Sequence, residues 1–276
     1  MRPQRADWIR VLAEGLADLY CPTGRVDPHR LLDGAQITVS FNNYGNTFDG
    51  ALEHRAGRFH AYCNLDRVKN RDTARARFTL SHELGHYHLD EHRTALERGL
   101  APMHGSIANR PDSEIVVERE ADLFASHLLL PRKRCEEFLA TVPTRITGLH
   151  RILAVAEAFD VSVQATAIRF CQDTPGICGI VMWRAEDSAW SYVAPNWEAA
   201  GYPRPRRDRS VIQIGSATAA AHDDHGYGRF SQICQSTTTA SFWFSRVVSG
   251  GARDDILVEQ AVRLGSFGVL TLLMKS

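Results

Sequence analysis

The N-terminal part of the chain alternates hydrophobic and polar positions with two different periods. Between residues 5 and 20, apolar side chains recur every three or four positions and predict an amphipathic helix. Residues 26–32 resemble a short helix with Pro28 in its first turn. Apolar residues that alternate with polar ones then predict a half-buried strand at 37–41, and residues 50–54 and 58–64 are interpreted as two further strands. A turn at 55–57 joins the last two, so the pattern predicts a small antiparallel sheet in this part of the chain.

The middle of the chain has the helical period. One helix is predicted over residues 74–90. A second is expected to begin after an N-cap at Ser113 and to end near Leu130, before Pro131. Three more helices are predicted at 132–140, 147–159 and 162–171. The last two are separated by about the interval of a helix-turn-helix.

From Gly176 onwards, short apolar runs are broken by proline, glycine and charged residues. The runs are 177–183, 190–193, 211–214, 240–248 and 268–273. They predict strands, while residues 256–264 predict a helix in the same region. We therefore expect an α+β fold in three parts. These are a domain at 1–142, a helical segment at 143–174, and a strand-rich α+β C-terminal domain at 175–276.

Composition and charge exclude several classes of protein. Hydrophobic residues make up 44% and charged residues 23%, as in a soluble globular protein. Lys+Arg and Asp+Glu number 32 each, so the whole chain has no general attraction to nucleic acid. The N-terminus lacks the apolar core of a signal peptide, and no apolar run approaches the roughly 20 residues that span a bilayer. Six scattered cysteines without a CxxC pair favour reduced thiols, so we expect a cytoplasmic protein with no membrane partner.

A motif with metal-ligand spacing, His82-Glu83-Leu84-Gly85-His86, lies in the predicted helix 74–90. Residues four apart face the same way on a helix, so His82 and His86 can bind one zinc ion. Glu83 then lies beside the ion, where it can take a proton from water. Five-residue patterns also occur by chance on surface helices. A third ligand is therefore needed to support a zinc site.

Acidic residues on the second long helix supply that ligand. Glu118 is the predicted third ligand, and Glu114, one turn earlier, is the alternative. Asp122 follows Glu118 by one turn and is predicted to accept the remaining ring N–H of a ligand histidine. Glu120 is interpreted as part of a solvated acidic face.

Other histidines carry weaker hypotheses. His88 is interpreted as a surface residue or as an orienting partner of a ligand, and His104 as a loop residue that could contact substrate. His127 is interpreted as a packed or capping histidine. The sequence His222-Asp223-Asp224-His225 resembles a metal motif, but it has no third partner and is interpreted as a turn.

Two segments together resemble the ImmA/IrrE family of bacterial metallopeptidases. They are Arg77–Tyr87 (RFTLSHELGHY) and Glu118–Pro131 (EREADLFASHLLLP). A third segment, within 153–169, resembles the helical part that follows the catalytic part in such proteins. The resemblance covers about residues 25–172. Some relatives also carry a sensor-like domain resembling a GAF module, and the strand-rich 176–276 is interpreted as one.

The resemblance implies a compact, gluzincin-like zinc domain, with a small sheet packed on helices. It implies zinc ligands at His82, His86 and Glu118, with Glu83 as the catalytic base. Many relatives have Asn where this chain has Asp122, and either residue can accept a hydrogen bond from a histidine. Members cleave or help to inactivate a helix-turn-helix repressor, and so switch on stress-response or mobile-element genes.

The sequence therefore predicts a zinc endopeptidase that cleaves a regulatory protein, such as a helix-turn-helix repressor. The alternative is a non-proteolytic, zinc-bearing regulator that binds a repressor or DNA. DNA binding would use the helices at 147–171 and the basic loop at 201–209. The second of these helices offers only Gln164, Thr166 and Arg169 as polar side chains to read bases, which disfavours nucleic acid as a partner.

Overall fold

The computed structural model describes residues 2–100, 104–106, 116–184, 189–208, 212–224, 232–244 and 255–275, with 104–106 as backbone only. Contacts divide the chain into two units, Met1–Thr141 with Val155–Ser162, and Val142–Ala154 with Val163–Ser276. Each unit combines helices with one β-sheet, so the predicted α+β class is confirmed. Among the described helices, none combines the length and the apolar character needed to cross a membrane.

The first unit begins with two helices, α1 (Pro3–Tyr20) and α2 (Pro28–Gly34), which the apolar spacing predicts. The side chain of Asp27 caps α2 by accepting a hydrogen bond from the His29 amide at 3.0 Å. Strands β1 (Thr38–Asn42), β2 (Gly50–Arg55) and β3 (Arg58–Asn64) follow. The next elements are α3 (Leu65–Val68), α4 (Ala74–His88), α5 (Asp90–Glu97), β4 (His104–Ser106), α6 (Val116–Leu129) and α7 (Arg132–Thr141).

The sheet of the first unit has the strand order β1-β3-β2-β4. Strands β2 and β3 form the predicted hairpin, and its two turn residues, Ala56 and Gly57, both have positive φ, as a tight two-residue turn requires. The prediction of an antiparallel sheet is corrected in one respect, because β1 runs parallel to β3. Alternation along a strand shows which face is buried, but it does not encode the direction of the neighbouring strand.

Helix α4 runs through the interior of this unit. Every residue from Phe78 to His86 is buried. Leu80 and Leu84 belong to the same apolar core as Phe124 of α6. The motif therefore lies on a buried helix, where bulk water does not compete for its polar side chains.

The division between the units passes through α8 (Leu149–Phe159). The second unit continues with α9 (Val163–Asp173), β5 (Cys178–Trp183), β6 (Ala189–Val193), α10 (Pro195–Ala199), α11 (Ala217–Asp223), β7 (Cys234–Thr239), α12 (Ala240–Trp243), β8 (Ile256–Arg263) and β9 (Val269–Lys275). Its five strands form one antiparallel sheet in the order β6-β5-β9-β8-β7. The strands predicted at 177–183, 190–193 and 268–273 are confirmed as β5, β6 and β9.

The helix predicted over 256–264 is wrong, because this segment forms the inner strand β8. Its glutamate, glutamine, alanine and arginine favour a helix, but burial between β7 and β9 outweighs that intrinsic preference. The buried Glu259 is accommodated because it accepts hydrogen bonds from the Thr218 amide at 2.8 Å and the Thr218 hydroxyl at 2.7 Å.

Two other strand predictions in this unit also need correction. Residues 212–214 form no strand, and 240–243 form the short helix α12, whereas residues 211 and 245–248 lie outside the described part. Strand β7 was not predicted, because its sequence, CQSTTT, contains no apolar run.

Candidate metal centre

The structure brings three of the predicted site residues together. The Nε2 atoms of His82 and His86 lie 3.0 Å apart. Glu118 approaches both rings, with one carboxylate oxygen 3.3 Å from His82 Nε2 and the other 3.5 Å from His86 Nε2. The three potential ligand atoms all lie within 4.8 Å of one another. Two imidazole nitrogens and a carboxylate oxygen suit zinc and leave a fourth position open, so the residues present fit this metal.

Two helices position these donors. His82 and His86 are one turn apart on α4, and Glu118 lies in the first turn of α6. Gly85 allows the helices to approach closely, because a Cβ atom there would lie 3.0 Å from Ala121 Cα and 3.2 Å from Ala121 O. The alternative ligand, Glu114, and the expected N-cap, Ser113, lie outside the described residues.

Asp122 contacts the other ring nitrogen of His82. Its carboxylate oxygen lies 2.8 Å from His82 Nδ1, which leaves Nε2 directed at Glu118 and His86. Burial acts to lower the pKa of His82, but hydrogen bonds with Asp122 and Glu118 outweigh it and raise the pKa to about 10. Without a metal, the raised pKa favours the charged form of the His82 ring, and an incoming metal ion must displace the proton on Nε2.

The carboxylate of Glu83 is fully buried beside β2. A Cβ atom at Gly50 would lie 2.7 Å from Glu83 Oε1 and 2.4 Å from Thr79 Cγ2, so the absence of a side chain at Gly50 makes room for this carboxylate. The negative charge of Glu83 also acts on neighbouring groups. Burial, followed by the charges of Glu83 and Asp49, raises the pKa of the Cys63 thiol to about 12 and keeps it neutral.

The contacts of His86 involve residues that the sequence did not indicate. His86 Nδ1 lies 3.2 Å from Nδ1 of His92, whose Nε2 lies 3.3 Å from a carboxylate oxygen of Glu120. Glu120 is buried and pairs with Arg5, so its interpretation as a solvated acidic residue is wrong. A continuous helix over 74–90 would direct residue 92 away from residue 86. Instead, α4 ends at His88 and the chain turns at Leu89 before α5 begins.

The remaining histidines have other surroundings. His88 stacks on Phe124, and burial lowers its pKa to about 4. His127 is buried and bonded to Glu14 at 2.9 Å, in agreement with its interpretation as a packed residue. His104 has only its backbone described, in β4. His222 lies in the last turn of α11 rather than in the predicted loop, and His225 lies outside the described residues.

Most of the described side chains that the DNA-binding alternative would use are buried or paired with carboxylates. Thr166 and Arg169 of α9 are buried, and Arg169 pairs with Asp173 at 3.1 Å. In the basic loop, Arg204 lies 3.4 Å from a carboxylate oxygen of Glu198, and Arg206 pairs with the adjacent Asp208 at 3.0 Å. Arg209 lies outside the described residues. Thr166 and Arg169 are therefore not exposed to read bases, and carboxylates neutralise part of the basic loop.

Comparison with known proteins gives a match to a family model and solved structures of similar fold. The model of the IrrE N-terminal-like domain, Peptidase_M78, matches residues 68–170, which is more than a third of the chain. A solved structure described as a Mycobacterium tuberculosis transcriptional regulator superposes with a TM-score of 0.58. The superposition covers 99% of this chain and 90% of the regulator's chain. The two sequences are 12% identical, so this likeness shows a shared fold. No curated protein matches the chain.

The matched segment contains both motifs and all three clustered donors, His82, His86 and Glu118. The resemblance inferred from these motifs is therefore confirmed: residues 68–170 match the Peptidase_M78 model, which describes an IrrE N-terminal-like domain.

Proposed function

We propose that this protein is a zinc-dependent endopeptidase that cleaves a regulatory protein, such as a helix-turn-helix repressor. The observation that carries the proposal is the convergence of His82, His86 and Glu118, together with the buried carboxylate of Glu83, which is near enough to act electrostatically on His82. The three donors would hold the zinc ion. When bound, zinc supplies Lewis acidity that polarises the scissile carbonyl and makes water more acidic.

Glu83 is the proposed general base. Its carboxylate takes a proton from the attacking water and delivers it to the amine that leaves. The buried setting strengthens the electrostatic interaction of this carboxylate with nearby charge, because little solvent screens it. Gly50 supports this role, since a larger residue there would displace the carboxylate.

The sheet offers a way to bind the substrate as an extended peptide. Gly50, which contacts Glu83, pairs with Ser106 of β4, the outer strand of the described sheet. Adjacent strands are about 4.8 Å apart, so β4 lies about this distance from Gly50, the residue of β2 that contacts Glu83. A peptide added along β4 would gain main-chain hydrogen bonds without a demand for one particular sequence.

A regulatory substrate is supported by the domain match and by the described role of the similar structure. IrrE N-terminal-like domains fall within a peptidase family, and the structure with a shared fold is called a transcriptional regulator. We therefore propose that cleavage controls a stress-response or mobile-element operon in the cytoplasm. The strand-rich second unit is proposed as a sensor-like part that responds to the activating signal.

The proposed function is tested by co-expression with the products of neighbouring genes, including any helix-turn-helix repressor. Wild-type protein and the Glu83→Gln variant are compared, and fragments are identified by mass spectrometry. We expect a fragment that forms only with the wild type. Identical fragment patterns would refute proteolysis and would favour a regulator that binds its partner without cutting it.

Asp122 provides a test of the metal centre that does not depend on knowing the substrate. We expect Asp122→Leu to weaken zinc binding about 10–100-fold, because His82 loses the acceptor that fixes its ring. Asp122→Asn keeps an acceptor oxygen and should bind zinc nearly as well as the wild type. Competition with a chromophoric chelator measures both. Equal zinc affinity in the Leu variant and the wild type would show that Asp122 does not orient His82.

A further inference from the structure

We propose that His92 is a positioning residue for His86, held in the required tautomer by Glu120 and Arg5. The inference rests on the proposed zinc site, because it concerns how one ligand of that site is oriented. The family match begins at residue 68, so it does not include Arg5.

The first step is the contact between the two histidines. A histidine that binds a metal through Nε2 carries its ring proton on Nδ1, which then needs an acceptor. His86 Nδ1 lies 3.2 Å from His92 Nδ1, and both rings are buried. His92 must therefore present an unprotonated Nδ1 with its lone pair toward His86.

Glu120 selects this form of His92. Its carboxylate lies 3.3 Å from His92 Nε2 and, when ionised, can only accept a hydrogen bond. The proton of a neutral His92 ring is thus favoured on Nε2, which leaves Nδ1 as an acceptor. The hydrogen bonds consequently run in a consistent order: His86 donates to His92, and His92 donates to Glu120.

Arg5 of α1 fixes the carboxylate end of this arrangement. Its guanidinium donates to both oxygens of Glu120, from Nε at 3.1 Å and from Nη2 at 2.8 Å. The same guanidinium donates to Glu91 at 2.9 Å. This two-point contact holds the carboxylate plane in one orientation, which a single-point ammonium contact would not do.

The two histidine ligands therefore have unlike partners. His82 donates to the charged carboxylate of Asp122, whereas His86 donates to the neutral imidazole of His92. A neutral acceptor orients the ring without placing a second negative charge directly against the site. The alternative explanation is that His92 only fills space in the interior, in which case its ring nitrogens would have no effect on the metal.

The test compares zinc affinity in full-length variants, measured by chelator competition. His92→Phe keeps an aromatic ring and removes the acceptor, and we expect it to weaken zinc binding about 10–100-fold. His92→Asn, whose side-chain oxygen can occupy roughly the position of Nδ1, should recover most of the affinity. His127→Phe is the matched control, because His127, like His92, is buried and bonded to a glutamate, in this case Glu14 of α1. It should bind zinc like the wild type.

The outcomes separate this inference from the proposed function. If the wild type fails to bind zinc, both are refuted. If the wild type binds zinc and His92→Phe binds it equally well, only the role of His92 is refuted. Should His92→Phe fail to fold, nitrogen-15 NMR of the zinc-loaded wild type decides. We expect the proton of His92 on Nε2 and that of His86 on Nδ1, and a proton on His92 Nδ1 would overturn the inference.

Discussion

Glu83→Gln is expected to lower the rate of substrate cleavage by about 10²–10⁴-fold, which is the usual contribution of a general base. Zinc should stay bound. Glutamine has nearly the same shape as glutamate, so it should fit the space beside Gly50. It cannot accept a proton at neutral pH. The defect should therefore appear in the chemical step rather than in metal binding or folding.

The measurement is kcat/KM on the fragment-yielding substrate, together with zinc content and thermal unfolding of the same preparations. Glu53→Gln is a suitable control, since Glu53 accepts a hydrogen bond from Tyr62 at 2.7 Å and has no proposed catalytic role. It should cleave at the wild-type rate. Normal cleavage by Glu83→Gln would remove Glu83 from the mechanism.

Glu118→Ala is expected to weaken zinc binding by more than about 100-fold. The loss should exceed the 10–100-fold cost of removing an orienting partner, because the substitution deletes a ligand atom together with its negative charge. The two histidines would remain, with their Nε2 atoms 3.0 Å apart, but a catalytic zinc site needs a third protein ligand. Cleavage activity should be lost with the metal.

The matched comparison is Glu114→Ala, which tests the other acidic residue that the sequence offers as a ligand. We expect this variant to bind zinc like the wild type. Zinc titration followed by metal analysis distinguishes Glu118 from Glu114 as the third ligand. A large loss of affinity in Glu114→Ala, with none in Glu118→Ala, would assign the third ligand to Glu114 and refute the arrangement proposed here.

The components of the centre that follow from helical spacing were predictable from the sequence. His82 and His86 are one turn apart on a helix, and so are Glu118 and Asp122. A fixed rise and rotation per residue place such pairs on one face, whatever the rest of the fold does. From the sequence alone, the meeting of the two pairs is a hypothesis, and the structure brings them together.

Contacts that depend on where the chain turns were not predictable in this way. His92 reaches His86 only because α4 ends at His88, and Arg5 reaches Glu120 across 115 positions of sequence. Strand β8 shows a similar limit, since its burial between two strands outweighs the helical preference of its residues. Local spacing carries no information about these long-range neighbours.

The close approach at Gly85 also limits which sequences can build this centre. The motif is written with two unspecified positions, yet here the second of them, Gly85, lies so close to the backbone of Ala121 that any side chain would require the neighbouring helix to move. Alanine would require α6 to shift by a few tenths of an ångström, and a branched residue would require more. A sequence pattern for this architecture is therefore narrower than the general HExxH motif. It specifies glycine immediately before the second histidine, and a small residue at the facing position of α6, where this chain has Ala121.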